Sequence, residues 1–480
     1  MDLPPLQDMK NRILSVEKIT QVHEYALQLL EVVGCTVQCE EALDILGNAG
    51  CDVRLPMRVK IPRKLVIESI ELAPKQFQVY DRDGNPAMTI ESDRCYYGTG
   101  SDCPNTIDLY SGKRRQSTKD DIGRLAQFCD VLPNIDFVMS FGIAQNVHSG
   151  ADFIHGYEAM LLNTKKPAIV TGHGRNDMLT MIEMAAASRG SLEEIKLKPS
   201  LILYTEPMSP LIHSDMGVSK GLVCCENGIP FIYIGSPMMG ATGPATVEGT
   251  LVQTVAECLS GLVIFQNKQP GAKFIFGGDS TVMDMSNMIF SYGAPELITL
   301  NGGLSDMAHF YGLPFFCIGG ATDSKILDAQ AGLEYALSLY DATLNGCNII
   351  HDCGYLESGL TSSFESVLFA DEIIGMLKHI LKPLEFNSDT VPLDIMNKVG
   401  PAGSFLKEKH TRDNYKNYWN PRFLDRRNYE RWSEDGGKDL RDVLNFKAKQ
   451  IFEKCQPQPL HEKNLQLVHN AIDKHKSDVR

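Results

Sequence analysis

The chain has 480 residues, a net charge of −14, 43% hydrophobic and 22% charged residues; it can bury one large core with extensions, and its acidic balance argues against a nucleic-acid binder, which would show a basic patch. Its thirteen cysteines are scattered and odd in number, and with no secretory signal over Met1–Lys10 they read as reduced thiols of a cytoplasmic protein. Apolar runs of strand length, far short of the roughly 18 residues of a membrane span, speak against a membrane protein.

Residues 1–117 read as a helical segment with β-hairpins. Glu24–Val33 has apolar residues at helical spacing and stops at Gly34, and Glu40–Leu46 and Arg63–Leu72 continue that pattern. Phe77–Ile90 alternates about Asp83-Gly84, a hairpin signal, and a second ribbon is expected through Cys95–Gly98 and Thr106–Gln116, turning at Ser111-Gly112. From Thr118 the texture changes. Ser117-Thr118-Lys119-Asp120-Asp121 is a helix start for Ile122–Leu132, and seven short apolar runs follow, separated by helical stretches: Ile135–Ser140, Ala168–Gly172, Leu201–Glu206, Phe231–Gly235, Lys273–Gly277, Phe315–Gly319 and Asn348–Asp352. Runs buried on both faces are what parallel strands require. With an eighth near Glu296–Asn301, the alternation over residues 118–385 predicts an α/β fold, a (β/α)8 TIM barrel, rather than an open sheet. No glycine-rich fingerprint follows the first strand, which weighs against a dinucleotide fold. Residues 386–480 lose the pattern; polar, aromatic Asn414–Trp432 precedes a helical Leu440–Lys454, and the whole reads as a helical extension wrapping the barrel or an arm for an oligomer or partner.

In such a barrel the strand C-termini and the following loops build the active site. Glu206 closes an apolar run before Pro207, where a carboxylate can orient a cation; a solvated loop carboxylate would look the same. His351 ends the last strand and could equally be a satisfied core histidine. Tyr355 follows in a glycine-flanked loop, and Tyr96 and Tyr97 precede Gly98-Thr99-Gly100-Ser101-Asp102, whose glycines let backbone approach a ligand closely. A tyrosine by itself is more often packing than ligand contact. Together these aromatic rings and carboxylates suit a small cation such as a quaternary ammonium, which has no N–H to donate and is recognised by ring faces and negative charge. His351-x-Cys353, with Cys317 or Cys347, is half of a zinc pattern without a second tight pair. Ser111-Gly112-Lys113-Arg114 lacks what a phosphate loop needs, and Cys224-Cys225 sits in a helical stretch.

Six ordered segments carry a resemblance: Tyr97–Leu109 (YGTGSDCPNTIDL), Thr171–Arg175 (TGHGR), Glu206–Pro210 (EPMSP), Gly240–Ala245 (GATGPA), Asp323–Gly332 (DSKILDAQAG) and Tyr355–Leu360 (YLESGL). Over residues 20–385, and more weakly to the C-terminus, the chain resembles the trimethylamine methyltransferase (MttB) superfamily. The resemblance implies a barrel that moves a methyl group from a methylated amine to the cobalt of a partner corrinoid protein, with no covalently bound cofactor of its own and the methylcobalamin-type corrinoid carried by the partner. Archetypal members hold a tertiary amine with pyrrolysine at the end of a barrel strand; this chain has only standard residues, and Gly319–Asp323 is the corresponding region. A quaternary ammonium leaves as a neutral tertiary amine and needs no such activation, so the expected substrate is a quaternary amine: glycine betaine first, then proline betaine, carnitine or butyrobetaine. In that reading Tyr96, Tyr97, Tyr355 and His351 contact the substrate, and Asp102 or Glu206 balances the ammonium. Gly320, His351 and Glu206 are the catalytic candidates, with His351 or the Gly319-Gly320 amides as donors to the substrate carboxylate. A homo-oligomer is expected. The rival readings are a zinc-dependent methanol or thiol methyltransferase and a barrel that binds a betaine without turning it over.

Overall fold

A computed structural model describes residues 12–55, 57–91, 94–148, 150–456 and 459–478; Met1–Lys10, scanned above for a leader, lies outside them. Eight parallel segments form the barrel: β1 Tyr96–Tyr97, β2 (residues 137–138), β3 Ala168–Val170, β4 Leu201–Thr205, β5 Phe231–Tyr233, β6 Phe274–Gly277, β7 Phe315–Ile318 and β8 Ile349–His351. Seven of them make a continuous sheet from β3 through β8 to β1. Single bridges from Gly98 to Phe137 and from Val138 to Ala168 close it through β2. Closure needs Gly98, because a Cβ there would lie 2.4 Å from the Phe137 ring.

Each strand is followed by its helix: Lys119–Asp130, Asp152–Asn163, Arg175–Arg189, Asp215–Asn227, Val247–Lys268, Pro295–Tyr311, Ala329–Leu344 and Phe364–Ile380. Their starts are written in the sequence. Thr118 and Asp121 form a capping box, and Ser214, Thr246, Asp328 and Ser363 each accept a first-turn N–H. Val247–Lys268 is long and apolar enough to pass for a membrane span, which the reading of short apolar runs overlooked; most of it is buried as a barrel helix.

Two expectations are corrected. The eighth strand is not at Glu296–Asn301, which lies within the helix Pro295–Tyr311. It is Tyr96–Tyr97, expected in a hairpin ribbon and paired instead in parallel with β8. The barrel therefore starts before Thr118. The true hairpin is the antiparallel pair Asn105–Ile107 and Arg114–Gln116. The earlier hairpin, Phe77–Tyr80 with Pro86–Ile90, closes the bottom of the barrel: Val79, Met88 and Ile90 are fully buried in one cluster with the inward-facing Phe137, Ile169, Ile202, Ile232, Ile275, Phe316 and Ile349. Among the described residues that end is sealed, which leaves the strand C-termini as the open end of the barrel. Beyond the barrel, Leu440–Lys454 packs on Phe364–Ile380 and Glu462–Asp478 packs on Arg175–Arg189.

Candidate active site

Inward-facing positions at the strand C-termini make the floor of the mouth. Tyr204 on β4 and His351 on β8 tilt toward each other with centroids 6.2 Å apart, and His351 stacks on Phe316 at 4.0 Å. The Tyr204 hydroxyl lies 3.0 Å from Asp279 Oδ2 and 3.1 Å from Glu206 Oε2, so its single proton is offered to two carboxylates. Ser236 Oγ donates to the same Glu206 oxygen at 2.9 Å. Glu206 is solvent-accessible although protein surrounds it, as expected of a group on the floor of a concave site. The loop that carries it is held by the fully buried Glu257, which accepts from Ser209 Oγ at 2.8 Å and from the Leu211 N–H at 2.9 Å.

His351 is 4% exposed and stands between two acids. Its Nε2 is 3.2 Å from Asp279 Oδ1. Its Nδ1 is 2.7 Å from Asp352 Oδ1, yet makes no hydrogen bond there: the contact is one of charge, off the line of a ring N–H. Burial works against the imidazolium, but the Asp352 and Asp279 charges outweigh it and raise His351 to about 10. Burial pushes the Asp352 carboxyl up, with His351 opposing. Burial likewise raises Glu206, against the Ser236 hydroxyl and with the Asp279 charge adding to it.

A second group flanks the first. Tyr355 stacks on Phe141 with centroids at 5.5 Å, meets Tyr292 edge-on at 6.1 Å and donates to the Ser101 carbonyl. Gly100 is required here, because a Cβ would lie 2.2 Å from both Asp352 Oδ1 and the Tyr355 ring. Asp102 accepts from Ser140 Oγ at 3.2 Å and from Thr171 Oγ1 at 3.3 Å, and burial raises its carboxyl against those hydroxyls. Asp102, Phe141 and Asp352 all have positive φ (61°, 50° and 70°), a concentration of strained backbone of the kind held at functional sites. Asp323 holds Tyr292 in place by accepting its N–H at 2.8 Å, together with Ser291 Oγ and the Gly293 N–H.

Of the residues proposed from sequence, Glu206 and His351 share the floor through Tyr204 and Asp279, with Asp102 and Tyr355 beside them. The two early tyrosines are elsewhere. Tyr96 sits low inside the barrel, its hydroxyl accepting the Thr89 N–H at 2.9 Å. Tyr97 points outward, 1% exposed, with its hydroxyl 3.0 Å from Thr343 Oγ1 and Lys378 Nζ 5.2 Å from its ring centroid. It is wall packing, not cage. The Gly320 N–H donates to Ser338 Oγ at 3.0 Å and the Gly319 N–H to the His351 carbonyl at 3.0 Å, so neither amide is free for a carboxylate. Cys353 Sγ faces the Ile350 carbonyl, and no group of three or more His, Cys, Asp and Glu suited to a metal occurs among the described residues. Sequence reasoning missed Tyr204, Asp279, Ser236, Phe141, Tyr292 and the role of Asp352. Asp279 was within its reach, since it lies just past the end of a recognised apolar run.

An acidic, aromatic depression at the open end of a (β/α)8 barrel, with the other end sealed, is the layout of a barrel enzyme. The family model described as trimethylamine methyltransferase (MTTB) matches residues 4–480. Among relatives, the trimethylamine methyltransferase MttB of Desulfitobacterium hafniense is 30% identical over 463 residues, 96% of this chain and 93% of that protein. The glycine betaine methyltransferase of Desulfitobacterium hafniense strain Y51 is 31% identical over 89% of each chain. The crystal structure of the Methanosarcina barkeri monomethylamine methyltransferase MtmB aligns over 98% of this chain and 89% of that one, with a TM-score of 0.53 at 12% identity, a likeness of fold. The chain belongs to the trimethylamine methyltransferase family and is a methyltransferase.

Proposed function

We propose that this enzyme transfers a methyl group from a quaternary amine to the corrinoid of a cognate partner protein in the cytoplasm, releasing a tertiary amine. The observation that carries this reading is the floor itself: the carboxylates of Glu206 and Asp279 converge on the aromatic Tyr204. That combination holds a cation that has no N–H to donate. The nucleophile is supplied by the Co(I) of the partner's corrinoid. One C–N bond breaks with its electron pair passing to nitrogen, the methyl carbon takes its new bond from the acceptor, and no proton moves. Glu206 therefore serves as a counter-charge and not as a general base. Tyr204 and Glu206 orient one methyl outward, and the sealed lower end of the barrel excludes water from below. Exposed Met285 (72%) and Met288 (74%), on the hairpin that follows β6, offer adaptable apolar contact at the rim, where the partner must seat.

The test mixes the full chain with Co(I) corrinoid, free and bound to candidate corrinoid proteins, and a panel of quaternary amines headed by glycine betaine. Loss of the Co(I) absorbance with at least one of them, and none with trimethylamine, is expected. Chelation leaves the rate unchanged on this reading, whereas loss that zinc restores would favour a metal-dependent enzyme. No reaction with any compound and any partner would overturn the proposal.

A further inference from the structure

Residues 381–421 leave the barrel and bury nothing against it. They start where the last barrel helix, Phe364–Ile380, ends. A barrel helix runs back from the mouth, so Ile380 lies at the sealed lower end. Asn134, in the loop that leads into β2, agrees with that direction: its N–H donates to Asp371 Oδ1 at 2.7 Å and its Nδ2 to the Asp371 carbonyl at 3.0 Å. The arm rejoins the flank at Arg422, whose guanidinium meets the buried Asp371 and Glu372 at 2.5 and 2.8 Å, halfway along the same helix. Between Leu377 and Leu444 no residue is buried. The arm's helices Leu393–Val399 and Lys409–Asn414 have no buried side chain, and helices so short need packing to persist in water. Leu384 (83% exposed), Phe386 (82%) and Leu406 (86%) project from it, a run of bare apolar side chains of the kind that marks an interaction surface.

We infer that this arm is the contact between two copies of the chain, its apolar side chains covering a second molecule and its basic half lying against that molecule's acidic surface. Lys398–Arg422 carries six Lys and Arg against Glu408 and Asp413, a net +4 in a chain of −14, so the remainder stands at −18. A second copy therefore presents the charge this segment seeks. Within one chain the arm already docks in that way, with Arg422 on Asp371 and Glu372. The corrinoid partner of the methyl-transfer reading fits this surface poorly. It must seat over the mouth, whereas the arm leaves from the opposite end and rejoins at mid-height.

A two-fold pairing lets each copy give one arm and receive one, the usual closure of a homodimer. The two kinds of contact respond differently to salt. Attraction between exposed charges is screened beyond about 10 Å at 0.1 M salt, while the burial of Leu384, Phe386 and Leu406 is not. Added salt should therefore weaken the pair without abolishing it.

Sedimentation velocity of the full chain over a concentration series, beside the variant Phe386→Asp/Leu406→Asp, tests this. The wild type should sediment as an oligomer. The variant should raise its dissociation constant at least about tenfold and melt at the wild-type monomer's temperature, since both side chains are already exposed. Reversing the exposed Lys407 and Lys416 to glutamate should weaken the pair most at low salt. Hydrogen exchange on the wild type needs no variant: amides of residues 384–421 should gain protection as the chain concentration rises. A monomeric wild type, an oligomer that the apolar variant leaves intact, or an arm whose exchange ignores concentration would each overturn the inference. A monomer whose arm is protected only when a corrinoid protein is added would assign the surface to that partner instead. None of these measurements uses turnover, so their outcome is separate from that of the methyl-transfer assay.

Discussion

His351→Gln is the most informative single change in the floor. The wild-type imidazolium lies between Asp279 and Asp352, and its pKa stands at about 10 against an ordinary 6.5. The folded state thus holds its proton more tightly than the unfolded chain. The resulting stability is fully present below pH 6.5 and is lost as pH rises through about 10. At 1.36 kcal/mol per pH unit that difference corresponds to about 5 kcal/mol, in line with the roughly 3–5 kcal/mol lost when one partner of a buried ion pair is removed. Glutamine keeps approximate shape and a donor but leaves both carboxylates without their cation. In urea unfolding at pH 7, the variant should lose several kcal/mol. Between pH 7 and 9.5 the wild type should lose stability while the variant loses little. Adding Asp352→Asn to the variant should recover part of the loss, because one unpaired buried charge is removed. A variant as stable as wild type at pH 7, or one with the wild-type pH slope, would show that the histidine is neutral and the pair is not ionic.

Tyr97→Phe removes a hydroxyl bound to Thr343 on the outer wall; it should cost about 1 kcal/mol of stability and leave quaternary-ammonium affinity unchanged. Tyr204→Leu, by contrast, should weaken that affinity roughly 2- to 30-fold, the equivalent of a cation–π contact of about 0.5–2 kcal/mol; calorimetry beside a melting curve separates the two. Replacing the exposed Met285 and Met288 together with aspartate should slow transfer to the protein-bound corrinoid while sparing transfer to free corrinoid; equal slowing of both would place these residues outside the partner's footprint.

What the sequence disclosed, and what it did not, follows from how a parallel barrel buries its strands. Apolar runs buried on both faces identify strands well, and the caps Thr118, Ser214, Thr246 and Ser363 mark helix starts because the first-turn N–H groups need an acceptor. The same double burial erases the alternation that would tell inner from outer faces. Tyr96 and Tyr97 form a two-residue strand with no period to read, so nothing in the sequence says that one points into the barrel and the other away. Their membership of the barrel was equally hidden, since β1 pairs with β8, some 250 residues later in the chain. Glu206 and His351 were legible because a polar group ending an apolar run has few places to go but the mouth. Their meeting through Tyr204 and Asp279 depends on the strand order, in which β4, β6 and β8 each lie one strand apart. Only closure brings those three ends across one opening. The pairing that gives His351 its charge is therefore a property of the closed barrel, while the residue itself is a property of the strand end.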